Sequence, residues 1–98
     1  MITIVATGGF DPIHSGHIEY LKEASLSGTR LIVGINSDEW LIRKKGKYFK
    51  PWEERAAIVQ ELTCVDEVIS FDDSDDTAIH ALEPVSYTHL TLPTTPYV

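Results

Sequence analysis

The stretch TGGFDPIHSGH, residues Thr7–His17, decides how the rest of the chain is interpreted. It joins the apolar, β-branched run Met1–Ala6 to Ser15–Ser27, where apolar residues recur at helical spacing. The glycines and the proline predict a loop over Thr7–His14 between a buried strand and a helix. This order predicts an anion site, because free backbone N–H groups and the positive end of the helix dipole both attract negative charge there.

Two histidines lie in the first turn of the predicted helix. His14 and His17 are three residues apart, so both rings can face one ligand, and Gly16 keeps the space between them open. Gly8 and Gly9 allow the backbone to approach an anion closely. The combination predicts a site for a phosphate chain. The alternative is a tight turn with two surface histidines, which a lone histidine or a lone glycine pair would favour.

Beyond this stretch, strand-like and helix-like segments alternate. Apolar runs predict strands at Arg30–Ile35 and Glu67–Phe71. Helices are predicted from the turn at Asn36 through Ile42, after Pro51, and at Ser74–Leu82. Such an alternation predicts a parallel α/β sheet with right-handed crossovers. Ligands of such sheets bind at the carboxyl ends of the strands, here after Ala6, Ile35 and Phe71.

The composition is that of a soluble globular chain, and its charge is unevenly placed. The 98 residues are 43% hydrophobic and carry a net charge of -7. Residues 1–63 hold eight acidic and eight basic residues, so the excess acid lies beyond them and does not argue against a phosphate ligand at the front. No apolar run approaches the roughly 20 residues of a membrane span, which argues against a membrane partner. The single cysteine, Cys64, excludes an internal disulfide and indicates a cytoplasmic protein.

The segment Gly8–His17 resembles the GxFDxxHxGH signature of the cytidylyltransferase-like nucleotidyltransferases. The likeness spans roughly residues 2–83 and is greatest to members acting on heptose phosphates or glycerol 3-phosphate. It implies a Rossmann-like parallel sheet of the HUP type, incomplete here, with about three strands and flanking helices. It includes four further segments: LIVGINSD at Leu31–Asp38, Lys44-Lys45-Gly46, WEERAA at Trp52–Ala57 and VDEVI at Val65–Ile69.

The resemblance also implies a reaction. The phosphate of a small acceptor, a sugar or polyol phosphate, would attack the α-phosphorus of CTP or ATP and release pyrophosphate. His14, His17 and Lys44 would be catalytic, Asp38 would contact the acceptor, and Mg2+ would bridge the phosphates without a metal site of the protein's own. A homodimer is one assembly that the resemblance suggests. The residues expected to contact the nucleotide or its phosphates are Thr7, Gly8, Gly9, Phe10, Asp11, Gly16, Lys45 and Arg55.

Two charged segments allow more than one interpretation. The basic run Arg43–Lys50 is interleaved with aromatic residues, which is typical of nucleic-acid binding or of a lid over a phosphate site. We favour the lid, because the run is a single loop in an acidic chain, and we predict no nucleic-acid partner. The acidic cluster Asp72–Asp76 could bind a cation, but acids at a helix N-terminus explain it more simply.

The last fifteen residues differ in kind from the rest. Pro84–Val98 holds three of the five prolines and no Asp, Glu, Lys or Arg. The family's later strand, and its late Ser-Thr segment that opens a helix, have no counterpart in it. We therefore predict that residues 1–83 are the N-terminal part of a truncated domain and that residues 84–98 are an irregular, non-native tail. Weak alternation over Tyr87–Leu92 would let the tail partly cover the free edge of the first strand. The alternative functions are a non-catalytic nucleotide- or phosphate-binding module and an inactive fragment.

Overall fold

The chain forms a parallel sheet with helices on its faces. The computed structural model describes residues 2–82 and 90–91. The strands run in the order β3-β2-β1-β4 and all their pairings are parallel, which confirms the predicted α/β architecture. In chain order the elements are β1 (Thr3–Gly8), α1 (Ser15–Leu26), β2 (Arg30–Ile35), α2 (Asp38–Lys45), α3 (Trp52–Gln60), β3 (Glu67–Ser70), a 3-10 helix (Ile79–Leu82) and β4 (Leu90–Thr91).

Both faces of the central strands are buried, which explains why β1 and β2 are almost continuously apolar. On one face Ile4 and Ala6 join the buried residues of α1 and α3 in the larger core cluster. On the other face Val5 and Ile32 pack with Ala81 of the 3-10 helix. The alternation of these side chains along β1 fixes its register against β2 and holds the carboxyl ends of both strands at one edge.

The predicted boundary between the first strand and its loop was wrong by two residues. β1 does not end at Ala6, because Thr7 and Gly8 continue the pairing with Gly34 and Ile35 of β2. The glycine that looked like loop chemistry is therefore the last residue of a strand. The loop that leads to α1 is correspondingly short.

The basic segment is partly helical, which also differs from the prediction. α2 extends to Lys45, so the last turn of this helix carries Arg43, Lys44 and Lys45. Cations in this position are favourable to the negative end of the helix dipole. Gly46 ends the helix in the left-handed conformation at φ 85°, where glycine carries no steric cost. Among the residues that the structure describes, no helix is long and apolar enough to cross a membrane.

The helix predicted over Ser74–Leu82 is mostly absent. Only its last four residues are helical, and they form a 3-10 helix. Before them the carboxylates of Asp72 and Asp75 accept hydrogen bonds from the backbone and hydroxyl of Ser74 and Thr77, respectively. These local bonds compete with helix formation, and they hold the pKa values of both carboxyl groups below their usual range.

A short fourth strand lies on the free edge of β1. Leu90 and Thr91 pair in parallel with Thr3 and Ile4, so part of the predicted covering segment does reach this edge. Residues 83–89 and 92–98 lie outside the described part of the chain. The assignment of residues 84–98 as non-native stays a prediction.

Gly28 connects α1 to β2 at a point with no room for a side chain. A Cβ atom there would lie 2.7 Å from the carbonyl oxygen of Ile2 and 2.8 Å from Cγ1 of Ile4. We expect Gly28→Ala to lower the free energy of unfolding by about 1–3 kcal/mol, because the backbone must shift. Urea denaturation measures the change, with Ser27→Ala at the exposed neighbouring position as the control. A Gly28→Ala variant as stable as that control would contradict the tight contact.

Candidate functional site

His14 and His17 cap the N-terminus of α1 reciprocally. His14 is the N-cap residue, and its Nδ1 accepts a hydrogen bond from the backbone N–H of Gly16 at 3.0 Å. The Nδ1 of His17 accepts one from the backbone N–H of His14 at 3.1 Å. The ring centroids are 3.9 Å apart. The three-residue spacing therefore does bring the two imidazoles together, in the arrangement that a Ser and a Glu usually provide.

The cap determines which nitrogen of each ring carries the proton. A ring nitrogen that accepts a hydrogen bond has no proton of its own, so the neutral forms of His14 and His17 carry theirs on Nε2. The His14 ring is exposed and can present its Nε2–H without disturbing the cap, whereas the Nε2 of His17 is buried. A contact of either ring with a phosphate chain stays a prediction.

His17 is kept neutral by its surroundings. Its side chain lies in the protein interior, with the ring of Phe10 packed against it in an edge-on arrangement at 5.1 Å. Burial lowers the pKa of His17, and the nearby His14 lowers it further. Neutrality preserves the cap, since protonation at Nδ1 would remove the acceptor that the His14 N–H needs.

The backbone amides at the start of α1 are less available than the sequence suggested. Of the N–H groups over Ser15–His17, that of Gly16 donates to the His14 ring and that of His17 donates to the His14 carbonyl. The prediction that these amides are free for a ligand was therefore wrong for two of the three. The helix dipole still favours negative charge at this position.

Gly8 and Gly9 are required by packing. A Cβ on Gly8 would lie 3.0 Å from the Phe10 ring, and one on Gly9 would lie 2.9 Å from a methyl group of Leu41. Phe10 itself has φ 52°, an unusual backbone conformation for a residue with a side chain, and its ring is buried. The turn is thus shaped by the ring of Phe10. Contact of Thr7, Gly8, Gly9 and Phe10 with a phosphate stays a prediction, as does the role of Gly16.

Asp11 holds the loop after α2 against the turn. Its buried carboxylate accepts the backbone N–H groups of Phe49 and Lys50, at 2.6 and 3.0 Å. The ammonium of Lys45 donates to the Asp11 carbonyl and lies 3.9 Å from the carboxylate. Asp11 therefore fixes the geometry of this loop, while nucleotide binding by its side chain stays a prediction.

The structure places the two neighbouring lysines in different surroundings. Lys45 reaches the turn through Asp11. Lys44 points elsewhere, with its ammonium 4.0 Å from the carboxylate of Asp76 and 5.9 Å from the ring centroid of Trp40. The resemblance put Lys44 first as a catalytic residue, and that role stays a prediction; the cation that contacts the turn in the structure is Lys45.

Arg55 is buried and links several loops by hydrogen bonds, so it is not an exposed phosphate ligand. Its side chain is 1% exposed. Nε donates to the carbonyl of Lys50 at 3.0 Å, and Nη1 donates to the carbonyls of Gly9 and Asn36, both at 2.8 Å. Nη2 donates to the carboxylate of Asp38. Four of the five N–H donors of this guanidinium thus hold the protein together, which differs from the role that the resemblance implied.

Asp73 is a residue of this edge that sequence reasoning missed. It follows β3 and is 5% exposed, although its neighbours in the acidic cluster are exposed. Its carboxylate accepts hydrogen bonds from Asn36 and Ser37 in the loop after β2. Its position just beyond the end of a parallel strand was the one available signal, and the surrounding acids obscured it.

A pocket of about 250 Å³ opens at the carboxyl ends of β2 and β3. In the part of the chain that the structure describes, two carboxylates, two serine hydroxyls and two aromatic rings line it, and no basic side chain does. Carboxylates and hydroxyls can pair with hydroxyl groups, and aromatic faces can pack on the C–H faces of a sugar. The lining residues are Ile35, Ser37, Asp38, Glu39, Trp52, Ser70 and Phe71.

The described side chains do not form a protein site for magnesium. Over residues 2–82 and 90–91, no group of three His, Cys, Asp or Glu side chains is arranged to hold a metal ion. The carboxylate of Asp11 already accepts two backbone hydrogen bonds. The Mg2+ implied by the family resemblance would have to be held by phosphate oxygens and water, and this stays a prediction.

Comparison with known proteins decides the family. The sequence profile of the cytidylyltransferase-like family matches residues 5–90. The chain belongs to this family. Two proteins named Bifunctional protein HldE, from Alcanivorax borkumensis and Wolinella succinogenes, are 40% and 42% identical to it over 85 residues. These alignments cover 83% of the chain but only 18% of each relative.

A solved structure has the same fold. The lipopolysaccharide core biosynthesis protein from Thermoplasma volcanium matches with a TM-score of 0.70 and 39% identity, covering 81% of this chain and 66% of that one. The predicted Rossmann-like nucleotidyltransferase fold is therefore confirmed. In this chain the histidine pair lies at the carboxyl edge of β1.

The histidine cap makes stability depend on pH. Because the pKa of folded His17 is lowered, the unfolded chain binds this proton first, and stability is lost as the pH falls below about 6.5. We expect His17→Gln to reduce this loss, because glutamine can accept the same backbone hydrogen bond and does not titrate. Urea denaturation across this pH range measures it. His80→Gln should keep the wild-type loss, and an unchanged loss in His17→Gln would contradict the assignment.

The buried guanidinium of Arg55 should dominate the stability of this edge. We expect Arg55→Met to lower the free energy of unfolding by about 3–5 kcal/mol, since it strands a carboxylate and three carbonyls. Arg30→Met is the matched control. Its ion pair with Glu67 is 40% and 47% exposed, so its loss should cost less than about 1 kcal/mol. Equal effects in chemical denaturation would contradict this role of Arg55.

Proposed function

We propose that the chain is the nucleotide-transferring part of an enzyme that moves a nucleoside monophosphate from CTP or ATP to a sugar or polyol phosphate. One observation carries this proposal: the His14 and His17 rings lie side by side at the positive end of α1, with their centroids 3.9 Å apart and each Nδ1 engaged in the helix cap. Membership of the cytidylyltransferase-like family supports it. The relatives' printed names, which include lipopolysaccharide core biosynthesis, support a sugar phosphate as the acceptor.

The triphosphate would bind over the glycine turn. An acceptor phosphate oxygen attacks the α-phosphorus and forms the new P–O bond, while the bond from the α-phosphorus to the bridging oxygen breaks and pyrophosphate leaves with that electron pair. The exposed His14 would donate its Nε2–H to oxygens that gain charge in the transition state, and His17 would hold it in place as the second member of the cap. Lys45 would contribute positive charge from the side of Asp11. The residues position and stabilise, and none forms a covalent bond.

The acceptor would occupy the pocket beside β2 and β3. Its carboxylates, hydroxyls and aromatic rings suit an uncharged polyol portion, and the absence of basic lining residues favours placing the acceptor's phosphate outside it. Asp38 would take part with the carboxylate oxygen that Arg55 does not hold. Lys44 remains a candidate contact for the acceptor or the outer phosphates, although Asp76 now competes for it.

The remaining parts of this proposal concern the setting of the enzyme. Mg2+ would accompany the triphosphate as its counter-ion and neutralise phosphate charge. A cytoplasmic location and a homodimer are retained as expectations from the sequence, as is the absence of nucleic-acid and membrane partners. The non-catalytic binding module and the inactive fragment are the alternatives that the next experiment separates.

The test is pyrophosphate release by the chain with CTP or ATP and a panel of sugar and polyol phosphates. We expect release only when a triphosphate and an acceptor are both present. Lys45→Ala should lower kcat/KM about tenfold or more, because a cation is lost beside the phosphates. Lys22→Ala, on the exposed surface of α1, is the matched control for charge and should leave the rate unchanged.

Four outcomes would count against the proposal. Absence of pyrophosphate with every combination would refute an active enzyme, and calorimetric binding of the triphosphate without turnover would favour the non-catalytic module. A chain that shows no cooperative melt would favour the inactive fragment. A larger loss in Lys44→Ala than in Lys45→Ala would contradict the placement of the two lysines.

A further inference from the structure

The proposed chemistry leaves one buried carboxylate unused. Asp73 accepts three hydrogen bonds from the loop after β2: from the backbone N–H and the hydroxyl of Ser37, both at 2.8 Å, and from the side-chain amide of Asn36 at 3.1 Å. A carboxylate removed from water requires such donors. Asp72, by contrast, is exposed and bonds only locally, to Ser74.

One route from Asp73 runs through Asn36 to the glycine turn. The carbonyl of Asn36 accepts from Nη1 of Arg55, and the same Nη1 donates to the carbonyl of Gly9. The backbone N–H of Asn36 also donates to the carbonyl of Gly8 at 2.9 Å. Asn36 thus touches the turn directly and through Arg55, so its orientation affects both contacts.

A second route runs through Ser37 to α2. Because the Ser37 hydroxyl gives its proton to Asp73, its oxygen is aimed to accept the N–H of Trp40 at 3.1 Å, and this bond caps α2. Arg43, further along α2, donates to the carbonyl of Asp73 at 2.8 Å. Asp73 therefore binds both the residue that caps the beginning of α2 and Arg43 in its last turn, and this helix carries Lys45.

We propose that Asp73 is a positioning residue for the phosphate-binding turn. In this proposal Asp73 does not contact the ligand but holds Asn36 and Ser37. Asn36 fixes the position of the Gly9 carbonyl through Arg55. Ser37 fixes the position of Lys45 through α2. The catalytic part of this inference rests on the proposed function. The structural part, coupling of Asp73 to the turn, stands on the contacts alone.

The test compares Asp73→Asn with Asp72→Asn, which makes the same change of charge at the adjacent exposed position. Hydrogen exchange is followed at the amides of Phe49 and Lys50, which donate to Asp11 at the turn. We expect Asp73→Asn to speed their exchange about tenfold, because a coupled network opens more often, and Asp72→Asn to leave it unchanged. In pyrophosphate release, Asp73→Asn should lower kcat about tenfold, with the KM for the triphosphate changed by less than about twofold.

The two proposals fail in different ways. If the wild-type chain releases no pyrophosphate, the proposed function fails and the exchange rates still decide on Asp73. Faster exchange confined to residues 36–40 and 72–77, with Phe49 and Lys50 unaffected, would overturn the coupling. If Asp73→Asn does not fold, Ser37→Ala removes one link only and should speed exchange at Phe49 and Lys50 in the same direction. No change at these amides would also overturn it.

Discussion

The hydrogen bonds of the buried Arg55 guanidinium are the contacts on which the carboxyl edge of the sheet depends. Parallel strands deliver their following loops to the same edge, where the loop carbonyls face one another and cannot pair among themselves. Arg55 supplies donors to the carbonyls of Gly9, Asn36 and Lys50 at once, and Asp38 balances its charge. A lysine could not replace it, because a single ammonium cannot span three loops in a fixed plane.

The histidine cap depends on one nitrogen atom of each ring. The Nδ1 atoms of His14 and His17 hold the helix N-terminus, while the Nε2 of His17 is buried and the ring of His14 is exposed. A positive imidazole would oppose the helix dipole and lose its capping acceptor. Burial, which lowers the pKa of His17, is therefore consistent with the capping role of that ring, and the positive charge beside the turn is that of Lys45.

The sequence was sufficient to predict what depends on local spacing. The parallel α/β order and the pairing of His14 with His17 follow from short-range periodicity, and both are found. The choice between Lys44 and Lys45 could not be predicted, because neighbouring residues on a helix point about 100° apart and the extent of α2 was underestimated. The burial of Arg55 could not be predicted either. The residues around it in sequence are the same whether its side chain faces a ligand or the protein interior, and only the packing of the loops distinguishes these two cases.

The acidic segment shows why charge totals are a poor guide to a site. All the excess negative charge lies beyond residue 63, and the structure directs much of it to specific partners. Asp76 engages Arg43 and lies near Lys44, while Asp73 serves the loop after β2. Lys45 comes next on the same helix but faces the other way, toward the turn. Asp76 therefore pairs with one set of cations on α2, and Asp73 holds the same helix in the position that directs Lys45 at the glycine turn.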